Sequence, residues 1–393
     1  MKKISRILLA MLSLTVTANA YAGGEDHRRL EMDPSSDVIL GQEDLNFVTK
    51  PAYPRLRHLE DGTYLLAWQE VIVGRKDDNG RYVSYALSSD LKNWTPMGRL
   101  FEDKTVTNYY GNSSERYYSC PEFLQLADGN LVAVCCFWNL STYNKIEGRA
   151  DNGLAVRISK DQGRSWGPEK EIFGGQSWEP FLIQQPDGRL QCYFSEARPW
   201  ISSCHSGTSM LESLDGGETW SPALGDRPYR VMRKRYWNPE KERYQFTDQM
   251  PTGVILNDKG KMAFAMEDVD MGIYSLGIVY SPDDGHWDYL EGDDIGPGER
   301  IDSLSVNATG PYIVKFRSGE VLVTFTRNKG MEWNLMYRIG DADAKNWGPE
   351  HKAFDRGGWS SACVDSDDSV ILVAPYKGGK LRLARFTLLK DNE

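Results

Sequence analysis

The sequence predicts an all-β chain closed into a six-bladed β-propeller, and three observations lead there. The 393 residues include 37 Gly, 12 Trp and 20 Tyr, a balance suited to many short strands joined by tight turns. A hairpin pattern, one apolar run, an Asp-Gly-like turn and a second apolar run, recurs as LRHLEDGTYLLAW, EFLQLADGNLVAV, FLIQQPDGRLQCY, GVILNDKGKMAFA and YIVKFRSGEVLVTF, with a weaker copy in SACVDSDDSVILVA. Between the hairpins runs a second motif, complete in Ser159 to Trp166 and Ser213 to Trp220. It is shorter or degenerate in Ser88 to Trp94, Ser281 to Trp287 and Asp341 to Trp347. Two motifs alternating at this spacing mark a repeat architecture.

Each part has a local cause. Gly62, Gly129, Gly188, Gly260 and Gly319 supply the positive φ of the hairpin turns. In the second motif the Asp carboxylate accepts the turn's N–H groups, a Gly permits the left-handed bend, and the Trp packs beneath. A hairpin followed by two strands around such a turn gives a four-stranded antiparallel sheet. Six such sheets cannot bury their faces alone and close into a ring. No Asp turn follows the sixth hairpin, so its outer strand is expected from Asp37 to Val48. Helices should be few and short, and residues 23–393 form one domain.

The chain opens as a secretory signal does: Lys2, Lys3 and Arg6, an apolar run from Ile7 to Val16, then small residues at Ala18, Ala20 and Ala22. Residues 1–22 are therefore expected to be removed. With no cysteine after them for a lipid anchor, the product is expected to be secreted or periplasmic. No later stretch is apolar enough to span a membrane. The formal charge of −10 disfavours nucleic acid as a partner. Six cysteines are too few for a disulfide framework in a chain this long; they read as buried small hydrophobes, and Cys192 with Cys204 is the pair to test for a bridge.

Topology then selects a face. Hairpin turns and Asp turns fall on one side of the ring. The starts of first strands and the ends of second strands fall on the other, around the axis. Those positions hold Arg55, Arg57, Glu70, Tyr118, Trp138, Trp178, Glu179, Glu196, Asp248, Glu267, Asn307, Tyr312, Arg327 and Trp359. Aromatic plates and bidentate polar groups suit a sugar, and paired carboxylates suit glycoside hydrolysis. The hairpin from Gln176 to Arg198 carries acids at both outer ends. Glu179 stands between Trp178 and Pro180 at the narrow start of an inner strand, and Glu267 closes the apolar run MAFAM. The plainer alternatives are a solvated rim, ion pairs of Glu70 or Glu196 with Arg55, Arg57 or Arg198, and a structural ion pair for Glu267. The acids Glu267, Asp268, Asp270, Asp293 and Asp294 match no calcium-loop spacing. Neither a metal signature, a nucleophilic serine motif nor a phosphate loop occurs, so no cofactor or metal is expected. The insert Arg227 to Phe246, basic and aromatic, reads as a pocket wall or an exposed hairpin.

The hairpins and Asp turns resemble those of the sialidase-type (Asp-box) propeller superfamily over nearly the whole chain after residue 22. Within it, AYPRLRHLEDGTYLLAW, SWEPFLIQQPDGRLQCYFSEAR and DQMPTGVILNDKGKMAFAME look most like the exo-arabinanase family of secreted glycosidases. That resemblance implies a retaining exo-hydrolase releasing short arabinose units from α-1,5-arabinan. Glu179 would be its nucleophile and Glu267 its acid/base. A sialidase is the second enzyme reading. It needs three arginines to clamp a carboxylate, whereas Glu267 stands where the blade-four arginine is expected and Trp359 falls near the tyrosine nucleophile. Both departures favour a neutral sugar. From other classes come a non-catalytic carbohydrate-binding propeller and a lyase using Tyr117, Tyr118 or His205. An oligosaccharide or polysaccharide is the expected partner, and a monomer the expected state.

Overall fold

Six antiparallel sheets stand around one axis, each led by an inner strand: Pro51–His58, Ser113–Gln125, Ser177–Gln184, Gln249–Ile255, Ala308–Lys315 and Ser361–Val364. Each inner strand touches the next around the ring, and the sixth returns to the first. The protein is a six-bladed β-propeller. This computed structural model describes residues 28–390, apart from 73, 75–79, 144, 146–150, 198–205, 241, 246, 271, 293, 328 and 330–332. The signal-like segment, Arg198, Cys204 and His205 therefore lie outside the described residues.

The turns form as their chemistry requires. Gly62, Gly129, Gly188, Gly260 and Gly319 have φ of +83°, +83°, +92°, +100° and +113°. Asp368 takes that role in the weaker sixth hairpin, at φ +66°. In the complete Asp turns, Asp161 accepts the Ser165 N–H at 2.8 Å and Asp215 the Thr219 N–H at 2.8 Å. Where glycine is missing from this turn, Leu91 and Ala344 still adopt φ of +64° and +56°. The indoles of Trp94 and Trp347 donate to the carbonyls of those same two residues. Arg164 of one Asp turn pairs with Asp61 of a neighbouring hairpin turn, so both turn classes do share a face.

The sixth blade is completed by the N-terminal segment, differently from the expectation. Arg29–Met32 pairs with the far half of Lys380–Leu389, and Val38–Leu40 with the near half. The outer strand thus begins earlier and is split around Pro34. Beyond it, Gln42–Leu45 is a single helical turn whose Asp44 side chain accepts the Gly41 N–H. The stretch Arg227 to Phe246 also divides. Tyr229–Met232 is the outer strand of blade three, and Trp237–Asn238 with Arg243–Tyr244 is a small separate hairpin. All five described cysteines are buried and unbridged to one another, Cys192 among them; its suggested partner Cys204 lies outside the described residues.

Apolar residues fill the spaces between blades; Tyr193, Phe264 and Trp287 interlock between blades three and four. Near the axis the packing is polar. Glu122 accepts from Arg55 Nε at 3.1 Å and from an Arg57 terminal nitrogen at 2.7 Å, and the Tyr312 hydroxyl donates to it at 3.0 Å. This knot ties blades one, two and five. Removing one member of a buried ion pair strands the others without compensation. Glu122→Gln should cost about 3–5 kcal/mol in a denaturant titration.

Candidate active site

The site is built by one device repeated around the ring. In five inner strands a proline follows the residue nearest the mouth: Tyr53-Pro54, Cys120-Pro121, Glu179-Pro180, Met250-Pro251 and Gly310-Pro311; blade six has Trp359-Ser360. These leading residues have φ of +52°, +53°, +49°, +51°, +58° and +46°. Pairing with the second strand slips at the same place in the five proline strands. Proline has no N–H for the ladder and disfavours the right-handed helical region for the residue before it. The resulting bulge re-aims a side chain. A non-glycine residue held at positive φ costs on the order of 1–3 kcal/mol and needs a surrounding structure that enforces it. Here the ring enforces it, and Glu179 is the one acid so presented.

Tyr53, Cys120, Glu179 and Trp359 line a cavity of about 630 Å³, together with Trp178 and Trp333. On one side Trp178 forms the wall, backed by Trp138 and Tyr143 of blade two, the three ring centroids lying 5.8–6.3 Å apart. The facing wall comes from blades five and six, where Trp333 and Trp359 lie 6.3 Å apart. Such surfaces accept the apolar faces of sugar rings.

Glu179 accepts a 2.7 Å hydrogen bond from Ser195 Oγ, which in turn accepts the Met250 N–H at 2.8 Å. Burial pushes its carboxyl up to about 7, while the Ser195 bond and the Arg55 charge oppose that rise. Glu267, at the end of a blade-four strand, accepts the Gly310 N–H at 2.8 Å. Gly310 abuts Trp359, whose backbone N a Cβ there would approach to 3.3 Å. Burial pushes Glu267 up to about 8; the Gly310 bond opposes this and the negative charge of Glu179 adds to it. The two carboxyls, remote in sequence, feel one another. Both bear on Tyr274, whose phenol is raised by burial and then by their charges. Such a pair, with different surroundings, divides into a group that ionises first and one that keeps its proton. Ser195→Ala removes a donor that favours ionised Glu179. The acid limb of any pH–rate profile should then move to higher pH, while the stranded Met250 N–H should cost about 1–3 kcal/mol of stability.

The other sequence-derived positions separate. Trp178 and Trp359 line the cavity, and Trp138 supports Trp178. Arg55, Arg57 and Tyr312 are engaged with Glu122 behind it. Glu70 is buried, accepting the N–H groups of Val48 and Thr49 and the Ser84 hydroxyl. Glu196 is buried against Arg233 and Ser209. Tyr118 donates to Glu169 within blade two; Asp248 is held bidentately by Arg300; Arg327 pairs with Glu350. Asn307 is half-buried at φ +53°. The plainer ion-pair reading thus describes Glu196, though with Arg233 as partner, while Glu70 serves as an anchor for the incoming chain. Unforeseen were Ser195, Cys120, Tyr274, Trp333 and Arg356. The recurring X-Pro step would have found Cys120. Nothing local marks the others, which arrive through packing. Among the described residues no three His, Cys, Asp or Glu side chains gather as for a metal ion, and no helix is long and apolar enough to cross a membrane.

No protein-family model matches the sequence, and no curated protein matches it. Solved structures do match in fold. A protein of unknown function from Dyadobacter fermentans is 17% identical with a TM-score of 0.62, covering 92% of this chain and 99% of its own. An alpha-L-arabinofuranosidase of Fusarium graminearum in complex with arabinobiose is 16% identical with a TM-score of 0.59, covering 90% and 97%. An alpha-L-arabinanase of Penicillium chrysogenum, also with arabinobiose, is 18% identical with a TM-score of 0.56, covering 92% and 98%. Sialidases share the fold at lower identity.

Proposed function

We propose that this chain is an exo-acting, retaining glycoside hydrolase that removes terminal sugars from a plant-type oligosaccharide, with arabinan ends as the leading substrate. The observation carrying this reading is Glu179 on an aromatic-lined cavity with Glu267 of the next blade near enough to feel its charge, both carboxyls raised by burial to unequal degrees. Glu179, aided by Ser195 and Arg55, ionises first and attacks the anomeric carbon. Glu267 retains its proton and delivers it to the leaving oxygen, then takes a proton from the water that hydrolyses the glycosyl-enzyme. A neutral terminal sugar is favoured, because Arg55 and Arg57 are spent on Glu122 and the carboxyl lining the cavity is that of Glu179. Likeness in fold to an arabinofuranosidase and an arabinanase supports the sugar class.

Activity requires Glu179 ionised and Glu267 protonated. The rate should therefore fall below pH ~7 and above pH ~8, a narrow bell measurable as kcat/KM against pH on an aryl α-L-arabinofuranoside. A panel of arabinan, other plant glycans and sialosides, with chromatography of products, tests the assignment. Short arabinose products from chain ends are expected. Turnover of sialosides alone, or binding without turnover, would replace it. Residues 1–22 are proposed to be a cleaved export signal, checked by the N-terminal sequence of the exported protein.

A further inference from the structure

The cavity has two chemically unlike sides. Glu179 and Glu267 come from blades three and four. Across the axis, on the lead-in segments to the inner strands of blades six and one, the lining side chains are Arg356 and Lys50. Glu179 is the only carboxylate among the described lining residues, and burial keeps it partly protonated near neutrality. This half of the site is therefore cationic in a chain whose formal charge is −10.

Arg356 differs from the arginines around it. Arg55 and Arg57 are paired with Glu122, Arg382 with Asp37 and Arg385 with Asp365. No carboxylate pairs with Arg356 among the described residues, and it is exposed. Its backbone is fixed beside the cavity: the next residue, Gly357, donates to the Trp333 carbonyl at 2.6 Å. A Cβ on Gly357 would stand 3.0 Å from the Leu335 backbone, so only glycine lets the segment lie so close. Arg356 is thus presented beside the Trp333 and Trp359 rings. A guanidinium at that place offers forked donors to a planar anion.

We infer that the oligosaccharide bound here carries an anionic substituent, a uronate carboxylate or a sulfate ester, seated against Arg356, while the sugar at the glutamate pair is neutral. The inference rests on the glycosidase reading for the orientation of the chain, but its test does not need turnover.

The test is calorimetric titration of the Glu179→Gln protein with matched arabino-oligosaccharides. One is neutral, one bears a terminal glucuronate, one is that compound with its carboxyl reduced, and one is sulfated. At low salt, one of the two anionic compounds should bind about tenfold or more tighter than its uncharged match, the size of one charge-assisted contact. The preference should vanish in Arg356→Met and return largely in Arg356→Lys. Whichever anionic compound shows it identifies the group. Equal or weaker binding of both, or a preference unaffected by Arg356→Met, overturns the inference. Because Arg356 is exposed and pairs with no carboxylate among the described residues, the variant should fold; a circular dichroism melt matching the parent verifies that. Failure of the glycosidase reading would appear separately, as absence of turnover by the parent protein.

Discussion

In the Glu179→Gln variant, turnover of 4-nitrophenyl α-L-arabinofuranoside is expected to fall on the order of 10⁴-fold, the scale seen when a nucleophile acting within a catalytic unit is lost. The substitution keeps the volume and the contact with Ser195 Oγ, since an amide oxygen can still accept that hydrogen bond. It removes only the negative charge that would attack. Substrate affinity should change little, so the loss belongs to kcat. Added azide should not restore turnover, because the isosteric glutamine occupies the space that an external nucleophile would need to reach the anomeric carbon. Residual activity within tenfold of the parent would exclude Glu179 as nucleophile.

Replacement of Glu267 should behave differently, and the difference separates the two roles. With an oligosaccharide leaving group, protonation by Glu267 is needed and Glu267→Gln should lose about 10²–10⁴-fold. With 2,4-dinitrophenolate, which departs without a proton, the glycosylation step should be nearly intact. The alkaline limb of the pH profile should disappear, since the group that titrates near pH 8 is absent. Stability changes in the opposite direction. Burial raises the carboxyl from 4.5 to about 8, so its contribution to folding is full below pH 4.5 and is lost as pH rises through 8. The glutamine does not titrate. The variant's advantage in Tm over the parent should therefore grow from pH 5 to pH 9, reaching roughly 2–5 °C. An advantage that shrinks with pH would mean that Glu267 is ionised at little cost and is not poised as an acid.

Much of the architecture could be read from the chain because its causes are local. A hairpin glycine fixes its turn whatever surrounds it, and all five named glycines adopt the positive φ that their turns need. The Asp turns likewise carry their hydrogen bonds within a few residues. The N-terminal strand was only half located, Val38–Leu40 falling in the expected segment and Arg29–Met32 before it, because its partner is Lys380–Leu389, at the far end of the sequence, and no local pattern specifies that register. The site was partly legible for the same reason. Strand-end positions pointed to Glu179, Glu267, Trp178 and Trp359, but alternation along a strand cannot tell a side chain that faces the cavity from one that faces a neighbouring blade. Glu70, Glu196 and Asp248 occupy the same topological layer as Glu179, yet each meets a partner placed there by another segment: the Val48 and Thr49 N–H groups, Arg233 and Arg300. What distinguishes Glu179 is the bulge before Pro180, which turns it toward the mouth and away from the sheet.

A 2-deoxy-2-fluoro-arabinofuranosyl donor with a dinitrophenolate leaving group, incubated with the protein and followed by peptide mass mapping, addresses the central claim most directly. A retaining pair predicts one stable arabinosyl ester on the peptide containing Glu179, formed in the parent and absent from Glu179→Gln. An ester on a different residue, or no adduct while the natural substrate is hydrolysed with inversion at the anomeric carbon, would contradict the claim that Glu179 and Glu267 act as nucleophile and acid.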